Sequence, residues 1–246
     1  MAVEMSLLLK QIKLEKDVSL QNRYFLQPDS EEYLKNIVDF GSRFIETLSP
    51  ANSLFRARLH DPMNRDSHVP HLGYEYSPEM HSRDEMGAPP SHKATGGRLN
   101  PPGLPFLYCA SDKDTAIAEM RPWKGAYLTV ANVAVIKELK VVDLRCRDPE
   151  PIESKNENSL EEKWWVFMQY TVCRNFAIPY HPSDNLAYIP TQLMACAFKA
   201  RGYDGILYTS AMNLRGYNIA LFDPKVASIE SVERVTIDDV TYITRQ

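Results

Sequence analysis

Tyr33, Ile37, Phe40, Phe44 and Leu48 recur at steps of three and four. That spacing lines one face of an α-helix. Pro28-Asp29-Ser30 opens the run and Pro50 closes it, so one helix is expected between them. Residues 5–20 mix apolar and charged positions and predict a short helix or an arm. Together, residues 1–49 are expected to form a helical extension ahead of a main domain at 50–246. Residues 54–59 alternate: Phe55, Ala57 and Leu59 share one face of a strand, and Arg56 and Arg58 share the other. Residues 60–92 are polar, hold prolines and show no period, which predicts a long surface loop. Loops of that length usually have a role, such as a lid.

Residues 105–110 form a short apolar run, expected as a buried strand. Ser111-Asp112 offers an N-cap for a helix over 113–121, and Pro122 stops it. Residues 126–135 and 139–144 are valine-rich and strand-like. Residues 148–158 read as a charged loop. Ser159-Leu160-Glu161-Glu162 matches a capping box opening a helix to about Phe176. Pro190 suits the first residue of the next helix, and Gly202 its left-handed stop. Strands are expected at 204–209, 217–222, 228–235 and 240–244. The mixture lacks strict βαβ alternation, which favours an α+β fold over a doubly wound sheet.

Composition sharpens where to look. Glycine is scarce, 10 in 246 residues, and six of the ten fall in the windows 96–103 and 202–216. Nine of the 17 prolines lie between Pro50 and Pro105. The net charge of −4 argues against bulk nucleic-acid binding, which needs a basic field. A local arginine site for a small phosphate-bearing ligand remains open. Cys109, Cys146, Cys173 and Cys196 form no C-x-x-C pair, so a reducing compartment is the better reading. No apolar run approaches a membrane span, and Lys10 cuts Leu7-Leu8-Leu9 too short for a signal core. The expectation is a cytoplasmic protein, or one delivered into a target cell's cytoplasm, with no membrane partner.

Dinucleotide, P-loop and nucleophile-elbow glycine motifs are absent. His68-x-x-His71 lacks partners for a metal site and reads as solvated loop histidines, so no metal is expected. The first glycine window carries Arg98, which can fork onto phosphate or carboxylate. It leads to Tyr108 on a strand and Glu119 on an otherwise apolar helix segment. A carboxylate there must be satisfied or functional. The second window places Ser210 at one strand end and Asn218 at the start of the next. Each residue also has a plain structural reading: Gly202 as a helix stop, Ser210 as a turn, Arg98 with Glu119 as a salt bridge.

Taken in order, these segments resemble the RES domain family, named for Arg, Glu and Ser positions. The carriers are the arginine strand at 54–59, Gly-Arg-x-Asn-x-x-Gly at 97–103 and Leu-Tyr-x-Ala at 107–110. Thr-Ala-x-x-Glu follows at 115–119, then Gly-Tyr-Asp-Gly-Ile with Ser at 202–210, and Asn before Leu-Phe-Asp at 218–223. The likeness spans roughly residues 50–225. It departs at Leu99, where many members carry an aromatic residue, and in the long segment 60–92. The resemblance implies an ADP-ribosyltransferase-like α+β fold of mixed sheets flanked by helices. It implies a toxin that destroys NAD+, as a glycohydrolase or a phosphorylase, neutralised by an antitoxin or immunity protein. Carried over, Glu119, Arg98 and Tyr108 become catalytic candidates. Arg56, Arg98, Tyr108, Ser210 and Asn218 become NAD+-binding candidates, with Arg58 one strand step from Arg56. NAD+ is then substrate, inorganic phosphate a co-substrate for phosphorolysis, and no other cofactor is implied. ADP-ribosyl transfer to a macromolecule and a non-catalytic nucleotide-binding module remain alternatives, and oligomerisation is left open. A metal-free hydrolase using Ser210 is a weaker rival, since its only nearby histidine, His181, precedes a proline.

Overall fold

The computed structural model describes residues 2–60, 79–146, 160–181, 184 and 186–241. The expected charged loop, the Ser159 cap, and His68 and His71 lie outside them, as does most of the segment expected as the last strand.

Eight strands form one sheet: β1 (Ile45–Leu48), β2 (Ser53–Leu59), β3 (Leu107–Ala110), β4 (Tyr127–Val135), β5 (Leu139–Leu144), β6 (Gly205–Thr209), β7 (Tyr217–Leu221) and β8 (Ala227–Thr236). Their spatial order is β1-β5-β6-β7-β3-β2-β4-β8. Among the described residues only the β5–β6 pair is parallel, and the helix α6 lies in the crossover between them. The helices are α1 (Ala2–Lys16), α2 (Pro28–Gly41), α3 (Lys113–Glu119), α4 (Leu160–Phe167), α5 (Arg174–Ala177) and α6 (Ile189–Ala200). A π-helical stretch, Met168–Cys173, makes α4 and α5 one continuous rod. This is the expected α+β class with a helical N-terminal segment.

The helix read from Pro28 towards Leu48 ends at Gly41. Residues 45–48 are instead β1, paired antiparallel with β5. A Cβ on Gly41 would lie 2.7 Å from the Phe198 ring, so glycine lets the end of α2 pack closely on α6. Tyr33 and Ile37 of the read stripe are fully buried, while Phe44 and Leu48 belong to the turn and the edge strand. The segment 1–49 thus supplies an edge strand as well as helices. Val240 and Thr241 are not in a strand; the β8 strand ends before them.

One sheet face is covered by α1, α2 and the α4–α6 helices. Leu14, Tyr33, Ile37, Phe176, Met194, Phe198, Ile206 and Ala220 meet there with almost no exposure. The other face packs Leu54, Leu107, Val133, Val141, Leu207 and Ile219 under Met86 and Val226. The short helix α3 seals a third cluster, Ala57, Ala110, Ala116, Leu128 and Val130. Burial on this scale supplies the main driving force for folding.

The site is positioned by a fault in the sheet. The β2 and β3 strands pair at a single register point, Phe55 opposite Ala110. Beyond it β2 continues against β4 through Leu59, while β3 continues against β7. The two strands part, and the backbone groups that would have completed the ladder need other partners.

Candidate functional site

A cavity of about 560 Å³ occupies this opening. Its walls include Arg56, Arg58, Lys93, Tyr108, Glu119 and Asn218. Strand alternation puts Phe55 and Ala57 on the face covered by α3, and Arg56 and Arg58 on the opposite one. The cavity is lined by all four, so it passes through the sheet rather than lying on it.

Arg56 bridges the fault. Its Nη1 donates to the Tyr108 carbonyl at 2.6 Å, replacing a ladder bond that β2 and β3 do not make. Its Nε is buried without a hydrogen-bond partner. Burial lowers the guanidinium pKa below its ordinary value, although the nearby Cys109 thiol and Tyr108 act the other way. Arg58 donates from Nη2 to the Gly87 carbonyl at 3.0 Å, and its Nε is likewise buried without a partner. Unmatched buried donors are costly, and these two sit in the cavity wall. Burial also pushes the Cys109 thiol up to about 12, so it is a neutral lining group.

Glu119 ends α3 on the other side. Asp112 starts this helix, accepting from Thr115 N at 2.8 Å, as the Ser111-Asp112 pair predicts. Glu119 Oε1 accepts from Ser210 Oγ at 2.7 Å and from Asn218 Nδ2 at 2.6 Å. Ser210 Oγ also accepts from the amides of Met212 and Asn213, each at 3.1 Å. Ser210 thus forms the turn read for it and also contacts Glu119. The hydroxyl organises the turn after β6 and donates a hydrogen bond to Glu119. Asn218 lies opposite Ala110 on β3 and Tyr208 on β6, so the sheet register itself delivers its amide to the carboxylate.

Tyr108 presents its ring to the cavity and spends its hydroxyl elsewhere. The hydroxyl donates to Asn100 Oδ1 at 2.7 Å and accepts from Leu99 N at 3.0 Å. Burial raises its pKa. Asn100 Nδ2 in turn donates to the carbonyls of Thr95 and Leu104, both at 3.0 Å. A Cβ on Gly97 would lie 2.6 Å from Asn100 Oδ1 and 3.0 Å from the Tyr108 hydroxyl, so only glycine fits that close approach. Leu99 is fully buried.

Arg98 is not in the cavity wall. Its Nη1 donates to the carbonyls of Phe176 and Ala177, at 3.0 and 3.2 Å, where α5 ends with orphan acceptors. Its guanidinium lies 5.4 Å from the Tyr208 ring centre and 5.9 Å from that of Tyr188. Tyr208 does line the cavity. Arg98 therefore reaches the site through Tyr208. The anticipated Arg98–Glu119 salt bridge is not formed.

The structure brings Arg56, Tyr108, Glu119, Ser210 and Asn218 together and sets Arg98 one layer behind. Sequence reasoning passed over Lys93 and Tyr208. Tyr208 follows two positions after Ile206 on a strand whose face already held Asn218's neighbours, a signal readable only with the register known. Lys93 sits in an irregular segment that offers none. Among the described residues no group of three or more His, Cys, Asp or Glu could hold a metal ion. No described helix is long and apolar enough to cross a membrane.

No curated protein matches the chain. A chain in the crystal structure of the M. tuberculosis MbcT–MbcA toxin–antitoxin complex is similar, with 15% identity and a TM-score of 0.41. The alignment covers 82% of this chain and 93% of that one. The RES domain model matches residues 68–243. That span contains Arg98, Tyr108, Glu119, Ser210 and Asn218 and begins after β2, so it does not include Arg56 and Arg58. The chain belongs to the RES domain family.

Proposed function

We propose that this cavity binds NAD+ and that the protein cleaves the bond between nicotinamide and ribose, acting as an NAD+-depleting toxin. One observation carries the reading. A single cavity holds three cationic side chains, Arg56, Arg58 and Lys93, and a carboxylate, Glu119, whose orientation is fixed by two neutral donors. NAD+ carries the complementary pattern, a diphosphate and a cationic nicotinamide-ribose. About 560 Å³ falls within the range of small-molecule sites. What the family resemblance implies supports the same substrate.

Cleavage of the N-glycosidic bond builds positive charge on the ribose, as in glycoside hydrolysis. A fixed carboxylate stabilises that charge without reorganising. With Oε1 held by Ser210 and Asn218, Oε2 is the oxygen offered to the nicotinamide ribose. Tyr108 and Tyr208 supply ring faces for stacking. Arg56 and Arg58 line the cavity and supply the cationic groups that hold phosphate oxygens. Arg98 positions Tyr208 and the end of α5 rather than touching substrate. Nicotinamide leaves as a neutral base, and water or phosphate takes the vacated carbon. Water gives a glycohydrolase and phosphate a phosphorylase. An enzyme that consumes NAD+ harms the cell holding it, so a neutralising antitoxin that covers the cavity is part of the proposal. Cytoplasm is where its substrate is met.

The test is purified protein incubated with NAD+, with and without inorganic phosphate, and identification of the products. ADP-ribose without phosphate marks hydrolysis, and a phosphorylated ADP-ribose that needs phosphate marks phosphorolysis. Label transferred to a macromolecule would overturn both in favour of ADP-ribosyl transfer. Bound but unchanged NAD+ would overturn catalysis.

A further inference from the structure

The α1 helix has two apolar faces, and the protein uses one. Leu7 and Leu14 point inward with 5% exposure or less. Met5, Leu8, Leu9 and Ile12 stand 40–59% exposed. Those four occur at i, i+3, i+4 and i+7, the spacing of a helix-packing stripe. Isolated exposed apolar residues are ordinary, whereas a contiguous stripe marks an interaction surface. The gap between α1 and α2 forms a groove of about 540 Å³, lined by Met5, Leu9, Lys10, Lys13, Asp29 and Glu32.

The charges say what occupies it. Lys10 and Lys13 line the α1 wall, and Asp29 and Glu32 line the α2 wall, with the apolar stripe alongside. Lys13 already pairs with Asp29 within the chain, which fixes the groove's shape. A surface that carries both signs beside its own apolar ridge is complementary to itself. In a two-fold contact, residue i meets j while j meets i. The lysines of one copy then face the acids of the other, and the two stripes pack together. An anionic lipid surface fits less well, because Asp29 and Glu32 would face it.

We propose that α1 is the dimerisation helix of this protein, its Met5–Ile12 stripe packing two-fold against a second copy with Lys10 of each protomer facing Glu32 of the other. The cavity at the sheet fault lies elsewhere, so this contact leaves the site open. The proposal is independent of the NAD+ reading.

Sedimentation equilibrium of the full chain over a range of concentrations tests it. A dimer is expected, and the double variant Leu9→Glu, Ile12→Glu should sediment as a monomer. Both positions are exposed, so the variant's melting temperature should stay near that of the parent, which separates lost contact from lost fold. Lys10→Glu and Glu32→Lys should each weaken dimerisation about tenfold or more, and the two together should restore it. A parent chain that stays monomeric throughout overturns the proposal. So does a Leu9→Glu, Ile12→Glu variant that remains a dimer, or a charge swap that fails to restore association. Co-sedimentation of the monomer with phosphatidylserine vesicles, and no dimer, would instead assign the stripe to a lipid surface.

Discussion

Ser210 Oγ donates to Glu119 Oε1 across 2.7 Å, joining the end of β6 to the end of α3 over 91 residues of chain. This bond decides how the carboxylate is presented. A glutamate at a helix end has three side-chain torsions, and fixing it costs rotamer freedom. Ser210 and Asn218 hold it, and the Met212 and Asn213 amides hold Ser210. Ser210→Ala should therefore leave the carboxylate in place but less ordered. Nicotinamide release should fall about tenfold or more, with a smaller change in KM. Steady-state kinetics on NAD+ checks the split between kcat and KM. An unchanged kcat removes Ser210 from positioning.

The same helix is locked at its other end. A Cβ on Gly216 would lie 1.9 Å from Thr115 Oγ1 and 2.5 Å from Asp112 Oδ2. Gly216→Ala should displace the cap of α3 and cost roughly 1–3 kcal/mol by overpacking. Urea denaturation measures the loss. Because the displaced helix carries Glu119, turnover should fall together with stability.

Asp112→Ala removes the cap without filling the gap. Loss of an N-cap side chain costs about 1 kcal/mol, and the Thr115 hydroxyl also loses its acceptor. Burial opposes ionisation of Asp112, but its hydrogen bonds from Ser111 and Thr115 outweigh that and lower its pKa. Its contribution to stability is then present above the ordinary carboxylate range and fades as pH falls through it. The Asp112→Ala variant should show a flatter loss of melting temperature below pH 5 or so than the parent, as thermal melts over pH would show.

Arg98→Ala tests the layer behind the cavity. It leaves two carbonyls at the end of α5 without their donor and removes the cation stacked on Tyr208. A hydrogen bond to a charged group is worth roughly 1.5–3 kcal/mol, and a melting temperature several degrees lower is expected. NAD+ affinity by calorimetry should fall too, since Tyr208 loses its support. Weaker binding with an unchanged melting temperature would instead mean that Arg98 contacts the ligand directly.

The class of fold was legible because most elements announce themselves locally. The β2 strand shows its alternation, α3 its cap and stop, and α6 its Pro190 start and Gly202 stop at φ 92°. The Glu119–Ser210–Asn218 cluster was legible only as separate residue types in ordered segments. What joins them is the register of β3, β6 and β7, which no local pattern encodes. The break after Gly41 is not legible because Phe44 and Leu48 continue the helical spacing by coincidence. The partner that takes residues 45–48 into the sheet is β5, far along the chain. The partners of Arg98 are hidden from the sequence for a related reason. A cation after two glycines suggests an anion site, but here its partners are helix-end carbonyls supplied 78 and 79 residues later. The fault between β2 and β3 left no sequence signal, although it is what turns Arg56 and Arg58 into cavity residues.

The central claim is that Glu119 drives the breaking of the nicotinamide–ribose bond. Nicotinamide release from NAD+ by the parent and by Glu119→Gln tests it most directly. Gln keeps the shape and its side-chain oxygen can still accept from Ser210 and Asn218, so fold and NAD+ binding should persist. Release should fall about 100-fold or more, the size of effect expected when a group stabilising transition-state charge is lost. Release by Glu119→Gln at the parent's rate, or none by the parent, would contradict the account.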